Sequence, residues 1–140
     1  MSRLFLAILA LPLLAAPALA QRQNIYDAQG RYQGYTERNG DRVTRYDGQG
    51  RYQGYSERSG GRVTTYDGQG RYQGYSERSG DRVTRYDGQG RYQGYTQGNG
   101  AGQRQSYDGA GRYTGTTQRA PGGGTRSYDG TGKFSGSTSR

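Results

Sequence analysis

A Tyr-Asp pair returns about every twenty residues along this chain, and no other feature restricts its fold as much. The pairs stand at Tyr26-Asp27, Tyr46-Asp47, Tyr66-Asp67, Tyr86-Asp87, Tyr107-Asp108 and Tyr128-Asp129, so the period is twenty residues and then twenty-one. Each pair opens the pattern Y-D-x-x-G-[RK], as in Tyr46-Asp47-Gly48-Gln49-Gly50-Arg51. A fixed period of this length means one supersecondary unit docked repeatedly on its neighbours, rather than a single globular core.

Two turn signals divide each period. Asp47-Gly48-Gln49-Gly50 suits a type I turn, in which the Asp side chain caps local amides and the final Gly accepts a positive φ. Asn39-Gly40, with its equivalents Ser59-Gly60 and Ser79-Gly80, signals a short hairpin. Between the turns, residues 42–46 and 51–58 are runs of strand length containing Val, Thr and Tyr. The expected fold class is all-β: tandem ~20-residue β-hairpin repeats forming an antiparallel meander or open repeat sheet. Helix is a poor reading, because 27 Gly residues are spread through the pattern and apolar spacing of three and four is missing.

Counting outward from Asn39-Gly40 predicts that Arg38 faces Asp41, Glu37 faces Arg42, Thr36 faces Val43 and Tyr35 faces Thr44. Glu57 with Arg62, Glu77 with Arg82 and Arg78 with Asp81 repeat the idea, while Arg58 lacks a partner because Gly61 stands in the place of Asp. In this register Tyr32, Thr36 and Val43 point to one face, and Tyr35 and Tyr46 to the other. Opposed charges of this kind set register more than they stabilise.

The first twenty residues read differently. Met1-Ser2-Arg3 precedes an apolar stretch from Leu4 to Leu14, and Ala18-Leu19-Ala20 ends just before the polar Gln21. A cationic start, a short apolar run and small residues at a cleavage site predict a helical signal peptide over residues 1–20. The run is short of the roughly 20 residues that cross a bilayer, so no stable membrane span is expected after cleavage. There is no Cys for a lipid anchor and no twin-Arg pair, which points to the general secretory route and a periplasmic or extracellular protein. The mature chain is then divided into regular repeats over 21–97 and degenerate, Gly-rich repeats over 98–140. From about Gln97 the Val position is lost and Ala120-Pro121-Gly122-Gly123-Gly124 interrupts the pattern, so 98–140 is expected to be the less ordered part.

Past residue 20 there is no Leu, and the large aliphatic and Phe residues are Ile25, Val43, Val63, Val83 and Phe134. That poverty, with a net charge of +9 of which one unit leaves with Arg3, is the composition of a disordered chain. Fifteen Tyr residues at repeating positions argue for order instead.

The Y-D-x-x-G-[RK] motif, in six copies at 26–31, 46–51, 66–71, 86–91, 107–112 and 128–133, resembles the YD repeat, or RHS repeat, of bacterial cell-surface and toxin-delivery proteins. The resemblance implies continuous β-sheet and an envelope or extracellular role, with carbohydrate binding proposed for some members. It does not imply encapsulation: the chain is too short to wrap a cargo, no toxin domain follows the repeats, and Tyr or Phe stands after the Gly-Arg or Gly-Lys where the family usually has an aliphatic residue.

Catalysis has few groups to work with. There is no His and no Cys, and each carboxylate type is copied in similar surroundings rather than placed in unequal ones. The protein is therefore expected not to be an enzyme and to need no cofactor. Calcium-binding β-rolls use several acids per turn, whereas here each turn has one Asp with a cation close behind it, so no metal is expected. The candidate surface is the Tyr stripe flanked by Arg: Arg51, Tyr52, Tyr55, Arg71, Tyr72, Tyr75, Arg91, Tyr92 and Tyr95. Arg grips phosphate, sulfate or carboxylate and Tyr stacks on flat apolar rings, so the expected partner is an anionic glycan, with extracellular DNA as another polyanion. The second class is self-association: twenty-residue strand-turn-strand repeats in exported chains resemble curli-type amyloid subunits. Equivalent arginines about 4.8 Å apart in a cross-β ladder would repel, which favours the meander, with growth left to its open edges.

Overall fold

The computed structural model describes residues 21–140, and the signal-peptide expectation for 1–20 lies outside the described residues. Twelve strands follow one another: β1 Gln21–Asp27, β2 Tyr32–Asn39, β3 Arg42–Asp47, β4 Tyr52–Ser59, β5 Arg62–Asp67 and β6 Tyr72–Ser79, then β7 Arg82–Asp87, β8 Tyr92–Gly98, β9 Gln103–Asp108, β10 Tyr113–Arg119, β11 Thr125–Asp129 and β12 Phe134–Ser139. Each pairs antiparallel with its neighbours in sequence, and β12 returns to β1, with Ile25 opposite Thr138 and Tyr26 opposite Ser137. The meander is thus a closed barrel and not an open sheet. The edges expected to support growth are paired with each other.

Closure follows from stagger. Direct ladder partners run from Arg42 on β3 through Glu57, Thr64, Tyr75 and Tyr86 to Tyr92 on β8, so one row climbs from one end of the wall to the other while passing six strands. Strands tilted in this way are what a barrel requires. The Asp turns gather at one end of the barrel, and the hairpin turns at the other.

The Asp turns form as expected. Gly50 N donates to Asp47 O at 3.0 Å, Asp47 N donates to Arg51 O, and Gly50 has φ 77. The hairpin turns do not. Asn39 faces Arg42, Arg38 faces Val43, Glu37 faces Thr44, Thr36 faces Arg45 and Tyr35 faces Tyr46. The two loop residues are Gly40 and Asp41, and only Gly40 has positive φ, at 58, which is the arrangement of a type II′ turn with Gly in its first central place. The expected turn centred on Asn39-Gly40 would need Asn39 in the left-handed region as well. The difference is one residue, and it moves every partner. Arg38 is not opposite Asp41 or Glu37 opposite Arg42, and the equivalent pairs proposed for Glu57 with Arg62, Glu77 with Arg82 and Arg78 with Asp81 are likewise displaced.

A second local feature decides the faces. Arg45 is opposite Gly54 but Tyr46 is opposite Tyr52, so Gln53 is an extra residue in a β-bulge. Gly54 has φ 122, and a Cβ there would overlap the Tyr66 carbonyl oxygen. The bulge brings Tyr52 and Tyr55, three residues apart, to the same face. Repeated around the barrel, it places all fifteen tyrosines and Phe134 on one face of the wall. Tyr32 therefore joins Tyr35 and Tyr46, correcting the division of aromatics between two faces. The other face carries Thr36, Val43, Ser56, Val63, Thr65 and Ser76, interspersed with arginines.

Among the described residues no hydrophobic or polar side chain is buried, and the buried positions are glycines such as Gly34, Gly54, Gly74 and Gly94. The strand pairs in extensive contact are ladder neighbours. Cohesion comes from the closed hydrogen-bond ladder, the turns and the aromatic rows. The 98–140 stretch supplies β9 to β12 of the same barrel, and its Gly-rich break is a 3-10 turn at Pro121–Gly123.

Candidate binding surface

At the Asp-turn end the motif is a single hydrogen-bonded unit. Asp47 Oδ1 accepts from the backbone amides of Gln49 and Arg51, both at 2.9 Å, while Oδ2 accepts from Arg51 Nε at 2.7 Å and Gln53 Nε2 at 3.0 Å. Asp27, Asp67 and Asp87 repeat all four contacts. The backbone N–H of the following Arg is the main cause that holds these carboxyls below the ordinary range, and for Asp67 the value falls to about 2. The role expected for Asp as a turn cap is thus visible, and Gln33, Gln53, Gln73 and Gln93 are partners that sequence reasoning missed. Their fixed place six residues after Asp was the available signal.

Arg51, Arg71 and Arg91 are each joined to this carboxylate, at 2.7 or 2.8 Å. They do not stand free beside the turn, and removing them would release an acceptor that organises it. Their outer surfaces remain open all the same, with the Arg51 side chain 73% exposed.

The next residues form an aromatic ring around the same end. Tyr32, Tyr52, Tyr72, Tyr92 and Tyr113 are the exposed large hydrophobic side chains among the described residues, Tyr52 at 45%, and Phe134 takes the sixth place. Each stands edge-on to a tyrosine of the neighbouring strand, as Tyr52 does to Tyr46 with centroids 6.2 Å apart. Tyr55, Tyr75 and Tyr95 are placed differently. Tyr55 stacks on Tyr66 at 4.8 Å and 18°, and Arg42 lies over it from the opposite neighbouring strand at 4.4 Å. Both faces of that ring are occupied, as they are for Tyr75 by Tyr86 and Arg62, and for Tyr95 by Tyr107 and Arg82. Of the nine residues expected to form the surface, the structure sets Arg51, Tyr52, Arg71, Tyr72, Arg91 and Tyr92 on the rim, and encloses Tyr55, Tyr75 and Tyr95 in the rows behind it.

The strand ion pairs belong to these rows. Arg42 Nη2 meets Glu57 Oε1 at 2.6 Å and Arg62 Nη2 meets Glu77 Oε1 at 2.6 Å, and the carboxylate hydrogen bond raises each guanidinium above its ordinary value. All three glutamates lie on the tyrosine face. The opposite face holds Arg38, Arg45, Arg58, Arg78, Arg85 and Arg104 with no glutamate among them, so the surplus positive charge is gathered there. Among the described residues no group of three or more His, Cys, Asp or Glu side chains is placed to hold a metal, and no helix is long and apolar enough to cross a membrane. No protein-family model, curated protein or solved structure matches the chain.

Proposed function

We propose that this is a non-catalytic, exported binding module of the cell envelope or extracellular space, which holds an extended anionic polysaccharide along its Asp-turn rim. The observation that carries the reading is the recurrence of one open tyrosine and one outward arginine per repeat, at Arg51-Tyr52, Arg71-Tyr72 and Arg91-Tyr92. A row of like subsites suits a polymer with its own repeat, because weak contacts add when several engage together. The tyrosines supply stacking area for sugar rings, and the arginines supply donors to carboxylate or sulfate groups. The resemblance of the motif to YD repeats supports the same setting. A membrane-embedded barrel fits less well: strands of five to eight residues are shorter than the ~9–11 that span a bilayer, and the tyrosine face mixes aromatics with Arg, Glu and Thr. Assembly by strand addition has no unpaired edge to use in a closed ring.

The test is binding to an anionic polysaccharide such as polygalacturonate beside neutral dextran, followed by calorimetry and sedimentation. Wild-type protein is expected to stay a fixed size, bind the anionic polymer alone and weaken steeply as salt is raised. The triple change Tyr52→Ala, Tyr72→Ala and Tyr92→Ala should cut affinity by about tenfold or more. Equal affinity in that variant would remove the rim from the reading. Fibre growth by the wild type with no polymer bound would replace it by self-assembly.

A further inference from the structure

The hairpin end of the opposite face holds three comparable places, and one of them differs in a single residue. Asp41, Gly61 and Asp81 occupy the same position of successive hairpin turns, and the carbonyl of each accepts from the next strand, at Arg58 N, Arg78 N and Gly98 N. Around Asp41 stand Arg38 and Arg58, around Gly61 stand Arg58 and Arg78, and around Asp81 stand Arg78 and Gly98. The middle place therefore has two arginines and no carboxylate. Asp41 lines a groove with Arg58 and Asp81 lines one with Arg104, where Arg104 Nη2 donates to the Asp81 carbonyl, so this turn position stands close to the local cations. Arg58 and Arg78 make no salt bridge or side-chain hydrogen bond with any described residue.

These two arginines line one groove of about 90 Å³ with Gly61, Val63, Ser76 and Val83. Val63 is the direct ladder partner of both Arg58 and Ser76, and Val83 that of Arg78, so the floor is apolar and the walls carry the donors. A groove of this size suits a small ion and not a polymer. Ser76 adds a hydroxyl that donates without charge. Guanidinium forks match a tetrahedral oxyanion edge to edge, and with Gly61 in place of the sister turns' Asp no carboxylate stands at this turn to compete for them.

We propose that Arg58 and Arg78, with Ser76 between them, form a site for one tetrahedral oxyanion of the sulfate or phosphate class. The site lies on the opposite face and at the opposite end from the rim, so it does not rest on the polysaccharide reading.

The test titrates the mature protein with inorganic sulfate, and separately with inorganic phosphate, at constant ionic strength in chloride, following amide and guanidinium signals by NMR. Saturable shifts confined to Arg58, Gly61, Ser76 and Arg78 are expected. Gly61→Asp restores the residue that both sister turns carry, so the fold accepts it, and it should weaken binding by about tenfold or more. Arg78→Gln should do the same, and Gly98 at the equivalent place of the next hairpin indicates that the barrel tolerates the loss. Arg38→Gln should leave the affinity unchanged. Shifts that rise without saturation across all arginines of the face, or a Gly61→Asp protein that binds as the wild type does, would overturn the assignment.

Discussion

One tyrosine-face row within residues 21–97 reads Arg42, Glu57, Thr64, Tyr75, Tyr86, Tyr92, whereas the row that starts at Gln103 reads Gln103, Gln118, Arg126, Ser137, Tyr26, Tyr32. The first has an ion pair, an Arg over a Tyr ring in the neighbouring rows and stacked aromatics. The second ends in one edge-on Tyr pair with centroids 5.9 Å apart. Yet the ladder continues through both without a change of direction. What the two stretches share is narrower. Asp108 and Asp129 still accept from the amides two and four residues ahead, and Gly115 and Gly136 still sit in bulges with φ 149 and 151. The turn Asp and the bulge Gly are thus enough to continue the barrel, and the charged and stacked pairs are additions to it.

The largest expected effect tests the shared part. Gly54→Ala and Gly115→Ala should each destabilise by about 3 kcal/mol or more, because strain at positive φ is joined by overlap with the carbonyl oxygen of Tyr66 or Tyr128. Gly50→Ala, at φ 77 with open space around it, should cost only about 1 kcal/mol. Urea unfolding measures all three. A mild effect at Gly115 beside a severe one at Gly54 would mean that the two stretches are not built on the same bulge.

An intermediate effect concerns the turns. The folded-state carboxyl of Asp67 lies at about 2, below its ordinary value of 3.8, and the other turn aspartates are shifted in the same direction. A lowered value means that the stability is present above about pH 3.8 and is lost as pH falls towards about 2. The melting temperature should therefore fall across that window. Asp67→Asn should flatten the fall more than Asp129→Asn, because Asp67 also accepts from the side chains of Arg71 and Gln73, and Asp129 from that of Thr131 alone. Equal flattening would erase this difference between regular and degenerate turns.

The smallest effect belongs to the additions. Arg62→Gln lifts a guanidinium from the Tyr75 ring and leaves Glu77 without its partner. The melting temperature should drop slightly in dilute buffer, and the difference from wild type should shrink in high salt, since the pair is half-exposed. A large, salt-independent loss would show that the rows, and not the turns and bulges, hold the regular stretch together.

Hairpin repeats, strand runs and the Asp-capped turn were legible because each rests on local chemistry within six residues. The hairpin register was not. Asn39-Gly40 and Gly40-Asp41 are both acceptable loop centres, and only the pairing of Tyr35 with Tyr46 across the strands distinguishes them. The faces were misjudged for a related reason: Tyr32 and Tyr35 share a face only when Gly34 closes a bulge. The odd spacing of Tyr-Gln-Gly-Tyr was the trace of it. Of the candidate surface, the Arg and Tyr of each motif copy stand on the rim and the Arg–Asp pairing lies within one turn, but the enclosure of Tyr55, Tyr75 and Tyr95 depends on side chains from both neighbouring strands.

By itself the sequence determined the repeat, the all-β class and the chemistry of the Asp turns, since these depend on residues within one period. Tertiary structure alone decided that six hairpins close into a ring, which side chains share a face and where charge is left over. Those outcomes depend on stagger summed over twelve strands, and a shift of one residue in any turn reverses them.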